Sequence, residues 1–312
     1  MKKSFSTKVR SAAIAAVTVL GLGLGAAGAA AQPSLPPLPA MPAIPAIPGI
    51  PAIPGIPNLN PAPAGGAKQV VAFGDSFTAN AGKSGPRGLE EGQTPIVANC
   101  ATDMENWPKI AAHQAGKSLG DWSCNGMGGA PVVQLVGYVE AAIMHGDLGP
   151  GTEDVVFMYG GMDALQWVDV AGKMQNMGHL NDTLYQQELR HAANRIREVA
   201  PGVQIHLASY PEYATNDQLC LVNLPGQTIP IPAPGGTQIQ EAFRDSIANA
   251  AHNIGANFID VYQATIGHGT CNPDDNQRFV AGFQDPAMGP MTNHPTIKGQ
   301  YAMGDIIAPH IR

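Results

Sequence analysis

Short apolar runs alternate with segments of helical periodicity along residues 68–312. Runs rich in β-branched and aromatic residues predict buried strands, and they lie at Gln69–Phe73, Asp154–Tyr159, Val203–Ser209 and Phe258–Val261. Helices are predicted at Asn106–Gly116, Val132–Met144, Asp182–Val199, Gln238–Ile254 and Thr296–Ile307. Because helices separate the strands at crossover length, the pattern predicts an α/β fold with a parallel sheet that is covered on both faces.

A different pattern fills the start of the chain. Residues 1–31 combine a basic beginning, a short apolar stretch rich in glycine, and a run of small residues that ends at Ala31. This layout is typical of a secretory signal peptide, and the apolar stretch is too short for a stable membrane span. We therefore predict cleavage after Ala31 and no transmembrane span in the mature chain. An uncleaved anchor is the alternative.

Residues 32–67 form a proline-rich segment in which a short Pro-x-Ile unit recurs every three residues. Proline fixes φ and lacks an amide donor, so neither a helix nor a sheet interior is favoured, and the repeat matches the turn of a polyproline II helix. We predict a stiff linker that leads to a single domain at residues 68–312. The alternative is an apolar ribbon that contacts the cell envelope or a partner.

Composition and charge exclude one class of partner. The chain of 312 residues has 44% hydrophobic and 13% charged residues, with a net charge of −7. Four of the 17 basic residues and none of the 24 acidic residues lie in residues 1–66, so the remainder has 13 basic residues and a net charge of −11. Because a nucleic-acid binder normally carries a basic patch, we expect no nucleic-acid partner.

The chain has four cysteines, Cys100, Cys124, Cys220 and Cys271. An even number in an exported chain suggests two disulfides, for which three pairings are possible. Pairing Cys100 with Cys124 and Cys220 with Cys271 would pin the long predicted loops, at 81–105, 210–236 and 262–293. The chain has no CxxC or HExxH motif, so we expect no metal site.

Residues that can carry chemistry follow the predicted strands. These segments are Gly74-Asp75-Ser76, Ser123-Cys124-Asn125-Gly126, Gly160-Gly161-Met162-Asp163 and Asn293-His294-Pro295-Thr296. A serine between a strand and a helix presents its hydroxyl at the sheet edge, where backbone amides can face a developing oxyanion. Serine needs a base to become a nucleophile, and His294 lies in a loop where such a base can sit. The G-x-S-x-G elbow of α/β-hydrolases is absent.

The four blocks GDSFTAN, SCNG, GGMD and NHPT, in this order, resemble those of the GDSL/SGNH hydrolases, and the cysteines resemble those of secreted actinobacterial lipases and esterases. The resemblance covers about residues 69–309. It implies a three-layer α/β/α sandwich and ester hydrolysis through an acyl-enzyme, without a metal or an organic cofactor. It also implies that Ser76 is the nucleophile and an oxyanion donor, that Gly126 is a second donor, and that His294 is the general base.

The third block departs from the family pattern, which has GGND with an oxyanion-donating asparagine. Met162 stands in that position and has no donor. Loss of one such donor costs about 10²–10³ in rate elsewhere. Either Asn80 or Asn125 replaces it, or the enzyme is slower or specialised; Met162 is then a candidate for the wall of an acyl pocket. Asp163 is predicted to be structural.

The last block also departs, because the family often has an aspartate three residues before the histidine. Here that residue is Met291. A backbone carbonyl near Met291 or Thr292 can accept the Nδ1 proton of His294 instead, so a dyad and a triad both remain open. Asp285 is the nearest upstream acid and a candidate third member. Asp75 is predicted to brace the nucleophile loop.

Three functions fit these observations. The first is a secreted or envelope-associated carboxylester hydrolase, a lipase or esterase whose partner is an acyl-ester or lipid substrate. The second is an acyltransferase that passes the same acyl group to an envelope alcohol such as a sugar. The third is a wall-associated binding protein on a degenerate hydrolase fold, which the departures at Met162 and Met291 support.

Overall fold

A parallel five-stranded sheet lies at the centre of the computed structural model, which describes residues 66–82, 100, 102–125, 133–160 and 174–311. Its strands are β1 (Val70–Gly74), β2 (Leu119–Asp121), β3 (Asp154–Met158), β4 (Gln204–Ala208) and β5 (Asn257–Ile259). The spatial order is β2-β1-β3-β4-β5, and every neighbouring pair is parallel. The order reverses between β1 and β3, and open α/β sheets bind ligands at the carboxyl ends of strands beside such a reversal.

Helices cover both faces of this sheet. They are α1 (Ser76–Ala79), α2 (Trp107–Ala115), α3 (Val133–His145), α4 (Met174–Val199), α5 (Gly236–Ile254), α6 (Val261–Ala264) and α7 (Ile297–Ile307), followed by a 3₁₀ turn at Ala308–Ile311. Successive strand residues point to opposite faces. Phe73 and Phe157 therefore pack with α3, α4 and α5, whereas Ala72 packs with α2 and α7. The chain is a three-layer α/β/α sandwich, as its motifs imply.

A glycine lets the first helix approach the sheet closely. A Cβ atom at Gly74 would lie 2.7 Å from the carbonyl oxygen of Met158 in the neighbouring strand, and it would also collide with Thr78. Asp75 then starts α1 by accepting a 2.9 Å hydrogen bond from the Phe77 N–H, and Asn80 ends the helix with a left-handed φ of 50°. These features turn the chain sharply at the end of β1.

One strand lies where none is predicted, and two predicted elements have different bounds in the structure. Strand β2 was not predicted, because only its middle residue is buried and it has no β-branched residue. The predicted strand Phe258–Val261 is wrong at its end: Asp260 accepts a hydrogen bond from Gln263 N–H, and the chain turns into helix α6. Helix α4 begins at Met174, eight positions before the predicted Asp182.

Of the three possible pairings, the structure has the one that connects the long predicted loops, Cys100 with Cys124 and Cys220 with Cys271. The predicted loop 210–236 contains two small antiparallel pairs, Gln218–Leu219 with Ile231–Pro232 and Asn223–Leu224 with Gln227–Thr228. No helix in the described ranges is both long and apolar enough to cross a membrane. The predicted signal peptide and nearly all of the predicted linker lie outside the described residues.

Candidate active site

The candidate site lies at the carboxyl ends of β1 and β3, where the strand order reverses. Ser76 is the first residue of α1, directly after β1. The first amides of a helix have no partner within the helix. Among the described residues no backbone carbonyl accepts the Ser76 N–H, so this amide is available beside the hydroxyl of the same residue.

Ser76 and His294 are brought into contact across 218 positions of sequence. The Nε2 atom of His294 lies 2.6 Å from the Oγ atom of Ser76. The Nδ1 atom lies 2.7 Å from the carbonyl oxygen of Thr292, which can only accept a hydrogen bond. The proton of the neutral ring is therefore on Nδ1, and Nε2 is free to accept the serine proton. This is the geometry of a nucleophile with its general base.

The loop before α7 holds His294 in this position. Asn293 has a left-handed φ of 62°, which asparagine tolerates better than most residues. Its side-chain oxygen accepts a 2.6 Å hydrogen bond from the Tyr213 hydroxyl, and burial raises the pKa of Tyr213 to about 12, so that tyrosine keeps its proton. Two backbone hydrogen bonds also hold this loop: the Asn293 N–H donates to the Gly282 carbonyl, and the Ala281 N–H donates to the His294 carbonyl.

Burial also changes the basicity of His294. Loss of solvent lowers the pKa of this imidazole below its ordinary 6.5, although the hydrogen bond to the Thr292 carbonyl acts in the opposite direction. A carboxylate partner would stabilise the imidazolium more strongly than a neutral carbonyl does. The ring is consequently neutral, and able to act as a base, over a wider acidic range.

The pH dependence of turnover tests whether the pKa of His294 is lowered. Since only a neutral imidazole can accept the serine proton, kcat/KM should stay above half of its plateau value at pH 6.5 and fall as the pH drops through the lowered pKa of His294. The measurement is a kcat/KM profile with an uncharged ester, with circular dichroism at each pH to show that the fold persists. An acid limb with its midpoint at or above 6.5 would contradict the expectation.

Asp75 makes two side-chain hydrogen bonds beside Ser76. One carboxylate oxygen caps α1 through Phe77 N–H, and the other accepts a short hydrogen bond from the Tyr210 hydroxyl. Tyr210 directly follows β4, so Asp75 joins the turn at Ser76 to β4, which lies on the far side of β3 in the sheet. Asp75 thereby holds Ser76 in place through the backbone.

Asp285 does not complete a triad. Its two oxygens accept hydrogen bonds from the buried guanidinium of Arg278, at 2.8 and 2.9 Å. The Asn223 side chain and the Ala287 N–H donate to the same carboxylate. The candidate role of Asp285 beside His294 is therefore corrected to a structural one, and the Thr292 carbonyl occupies Nδ1 instead.

The candidate oxyanion donors are only partly described. Gly126, Met162 and Asp163 lie outside the described residues. Asn80 is fully buried, its side-chain amide has no hydrogen-bond partner among the described residues, and it does not line the cavity beside Ser76. The Asn125 amide donates a 2.5 Å hydrogen bond to the Ala81 carbonyl, which ties two loops together. Of the described groups, the Ser76 N–H is the candidate donor.

An apolar cavity of about 610 Å³ opens beside Ser76 and His294. Its walls come from five separate segments of the chain, and residue pattern alone does not bring these segments together. Among the lining residues are Tyr210, Tyr213, Leu219, Ile239, Phe243 and Tyr262. Tyr210 was the one with a recognisable signal, because it directly follows a predicted strand. A cavity of this size and lining fits the apolar part of a small ligand.

The model of the GDSL-like lipase/acylhydrolase family matches residues 72–302. A relative called Lipase 2, from Streptomyces coelicolor, is 24% identical over 266 residues, which cover 78% of this chain and 86% of the relative. An esterase from Streptomyces scabiei is 30% identical over 168 residues, which cover 49% of this chain and 45% of the relative.

Two solved structures share the fold. The extracellular lipase from Streptomyces rimosus superposes with a TM-score of 0.54 at 20% identity, over 78% of this chain and 99% of the lipase. Phospholipase A1 from Streptomyces albidoflavus superposes with a TM-score of 0.55 at 20% identity, over 78% of this chain and 98% of the phospholipase.

Proposed function

The chain belongs to the GDSL-like lipase/acylhydrolase family and is a serine ester hydrolase, and we propose that it is an exported carboxylesterase or lipase that works through an acyl-enzyme on Ser76. The observation that carries this proposal is the 2.6 Å contact between Ser76 Oγ and His294 Nε2 beside an apolar cavity.

In the acylation step, His294 Nε2 accepts the Ser76 hydroxyl proton while Oγ bonds to the ester carbonyl carbon. The carbonyl oxygen gains negative charge, and the Ser76 N–H at the start of α1 donates to it. The tetrahedral intermediate collapses when the bond to the alcohol oxygen breaks, and Nε2–H gives its proton to that oxygen. The products are a free alcohol and an acyl group on Ser76.

In the deacylation step, His294 takes a proton from a water molecule, whose oxygen bonds to the acyl carbon. Collapse of the second intermediate releases the acid, and the proton returns to Ser76 Oγ. Throughout, the Thr292 carbonyl accepts a hydrogen bond from Nδ1–H and keeps Nε2 directed at Ser76. A Ser–His dyad oriented by a backbone carbonyl therefore needs no acidic third member.

The substrate and the location follow from separate observations. The apolar cavity beside Ser76 suits the acyl part of an ester. The signal-peptide pattern of residues 1–31 and the two disulfides support export, because disulfides persist in oxidising compartments. The proteins that share its fold include an extracellular lipase and a phospholipase A1. We place the enzyme outside the cytoplasm, with residues 32–67 as a linker able to reach the envelope.

A fluorophosphonate probe tests the acyl-enzyme directly. The probe phosphorylates an activated serine, so the wild type should gain one adduct on the peptide that contains Ser76, and Ser76→Ala should gain none. Mass spectrometry of the digested protein locates the adduct. Equal labelling of Ser76→Ala would refute the assignment of the nucleophile.

Product analysis separates hydrolysis from acyl transfer, which shares the first half of the reaction. With a short-chain ester and a sugar acceptor, hydrolysis yields free acid at every acceptor concentration. An acylated sugar that grows with acceptor concentration would favour the transferase. A protein without turnover would favour the binding-protein alternative, against which the Ser76–His294 contact already argues.

A further inference from the structure

A segment without charge lies beside the cavity mouth. No Asp, Glu, Lys or Arg occurs from Gln218 to Gln240, in a domain whose net charge is −11 with 13 basic and 24 acidic residues. Four large aliphatic side chains of this segment, Val222, Leu224, Ile229 and Ile231, are 41%, 42%, 41% and 43% exposed. Phe283 is 58% exposed and lies against this segment, since its N–H donates to the Leu221 carbonyl. These five residues are called the hairpin surface below.

The hairpin surface continues from the wall of the cavity. Ile231 pairs with Leu219 across two antiparallel strands, so their side chains lie on the same face. Leu219 lines the cavity, and so does Ala233, two positions after Ile231. Ile229 lies two positions before Ile231 and is similarly exposed, at 41%. An apolar path therefore runs from the acyl cavity out to solvent.

The segment that carries this surface is held firmly. Cys220 is bonded to Cys271, and the Asn223 side chain donates to the carbonyls of Cys220 and Thr270 as well as to Asp285. Because the backbone is anchored at these points, the segment cannot rearrange to bury the exposed aliphatic side chains of the hairpin surface. Exposed apolar patches that persist in this way mark interaction sites.

We propose that the hairpin surface binds the neutral lipid–water interface in which the ester substrate is aggregated, and that it sets the cavity mouth on that interface. The proposal rests on the ester hydrolase function. Aliphatic and aromatic side chains bury themselves at an interface in proportion to their apolar area. Because no cation lies in the segment and the domain is acidic, attraction to anionic headgroups is not available. The occupant is thus a zwitterionic or uncharged lipid surface.

The test is flotation with vesicles of ether-linked phosphatidylcholine, which the enzyme cannot hydrolyse, using protein recovered from the medium of a secreting host. The wild type should float with the vesicles. The double variant Ile229→Asp with Ile231→Asp should bind about tenfold to a hundredfold less, because two exposed aliphatic contacts are lost. Turnover of soluble p-nitrophenyl acetate should be the same for both proteins, since neither residue contacts the reacting atoms.

Met104→Asp with Met144→Asp is the matched control, because it adds the same two charges at residues that are 52% and 60% exposed elsewhere. It should float like the wild type. All three proteins share the proline-rich segment, so differences report on the hairpin surface. The proposal is overturned if the wild type fails to float, if the hairpin variant floats equally well, if binding requires anionic lipid, or if the surface only joins two copies of the chain. Absent turnover in every protein would instead refute the hydrolase function.

Discussion

Replacing Ser76 with alanine is expected to lower kcat/KM for p-nitrophenyl acetate by at least about 10⁴-fold. The hydroxyl oxygen is the atom that would bond to the substrate, and within the described part of the chain no other group makes a hydrogen bond with His294 Nε2. The fold should be unaffected, because Ser76 keeps its backbone at the start of α1 and Asp75 still caps that helix. Turnover is compared after circular dichroism and thermal unfolding show equal structure.

His294→Ala should cause a loss of the same order, since the serine hydroxyl is a poor nucleophile without a base. Residues that act as one unit are not additive. The double variant Ser76→Ala with His294→Ala should therefore be no slower than either single variant. His113→Ala, at an exposed histidine of α2, is the matched control and should retain full turnover. Additive losses, or substantial turnover in either single variant, would show that the two residues do not form a dyad.

Replacing Asp285 with alanine is expected to lower the free energy of unfolding by about 3–5 kcal/mol. The side chains of Asp285 and Arg278 are both fully buried, and two parallel hydrogen bonds join them. Removal of the carboxylate leaves a buried guanidinium without its main partner and takes away one of the three acceptors of the Asn223 amide. Urea unfolding with the disulfides intact measures the loss.

Two variants separate this effect from simple loss of a charge. Asp245→Ala removes an exposed partner of Arg244 and should change stability by no more than about 1 kcal/mol. Replacing both members of the buried pair, Arg278→Met with Asp285→Leu, should recover part of the loss because no unpaired charge remains. Equal losses in Asp245→Ala and Asp285→Ala would contradict a special role for the buried pair.

The pH dependence of stability is a second test of the buried pair of Arg278 and Asp285. Burial raises the pKa of Asp285, but hydrogen bonds from Arg278, Asn223 and the Ala287 N–H outweigh it and hold the pKa below the ordinary 3.8. A lowered pKa in the folded state contributes stability above the ordinary pKa, and this contribution is lost as the pH falls through the lowered value. Asp285→Ala should lack that part of the acid destabilisation.

Much of the fold was predictable because it depends on local patterns. The apolar runs of β1 and β3 and most of β4 are continuous in sequence because these strands are buried on both faces of a parallel sheet. Strand β2 was missed since it pairs only with β1 at the sheet edge and buries little. The end of β5 was misjudged because Asp260 caps a short helix, a feature that hydrophobic pattern does not report.

Residue pattern alone was enough to find the strand–helix order, the cysteine set, and Ser76 and His294 as candidates for the chemistry. Tertiary structure decided what these residues contact: the Thr292 carbonyl on Nδ1, Arg278 on Asp285, and Ile231 beside the cavity residue Leu219. The physical reason is that strands and helices arise from periodic burial along the chain. Hydrogen-bond partners and cavity walls depend instead on where long loops are placed, and residue order does not encode that placement locally.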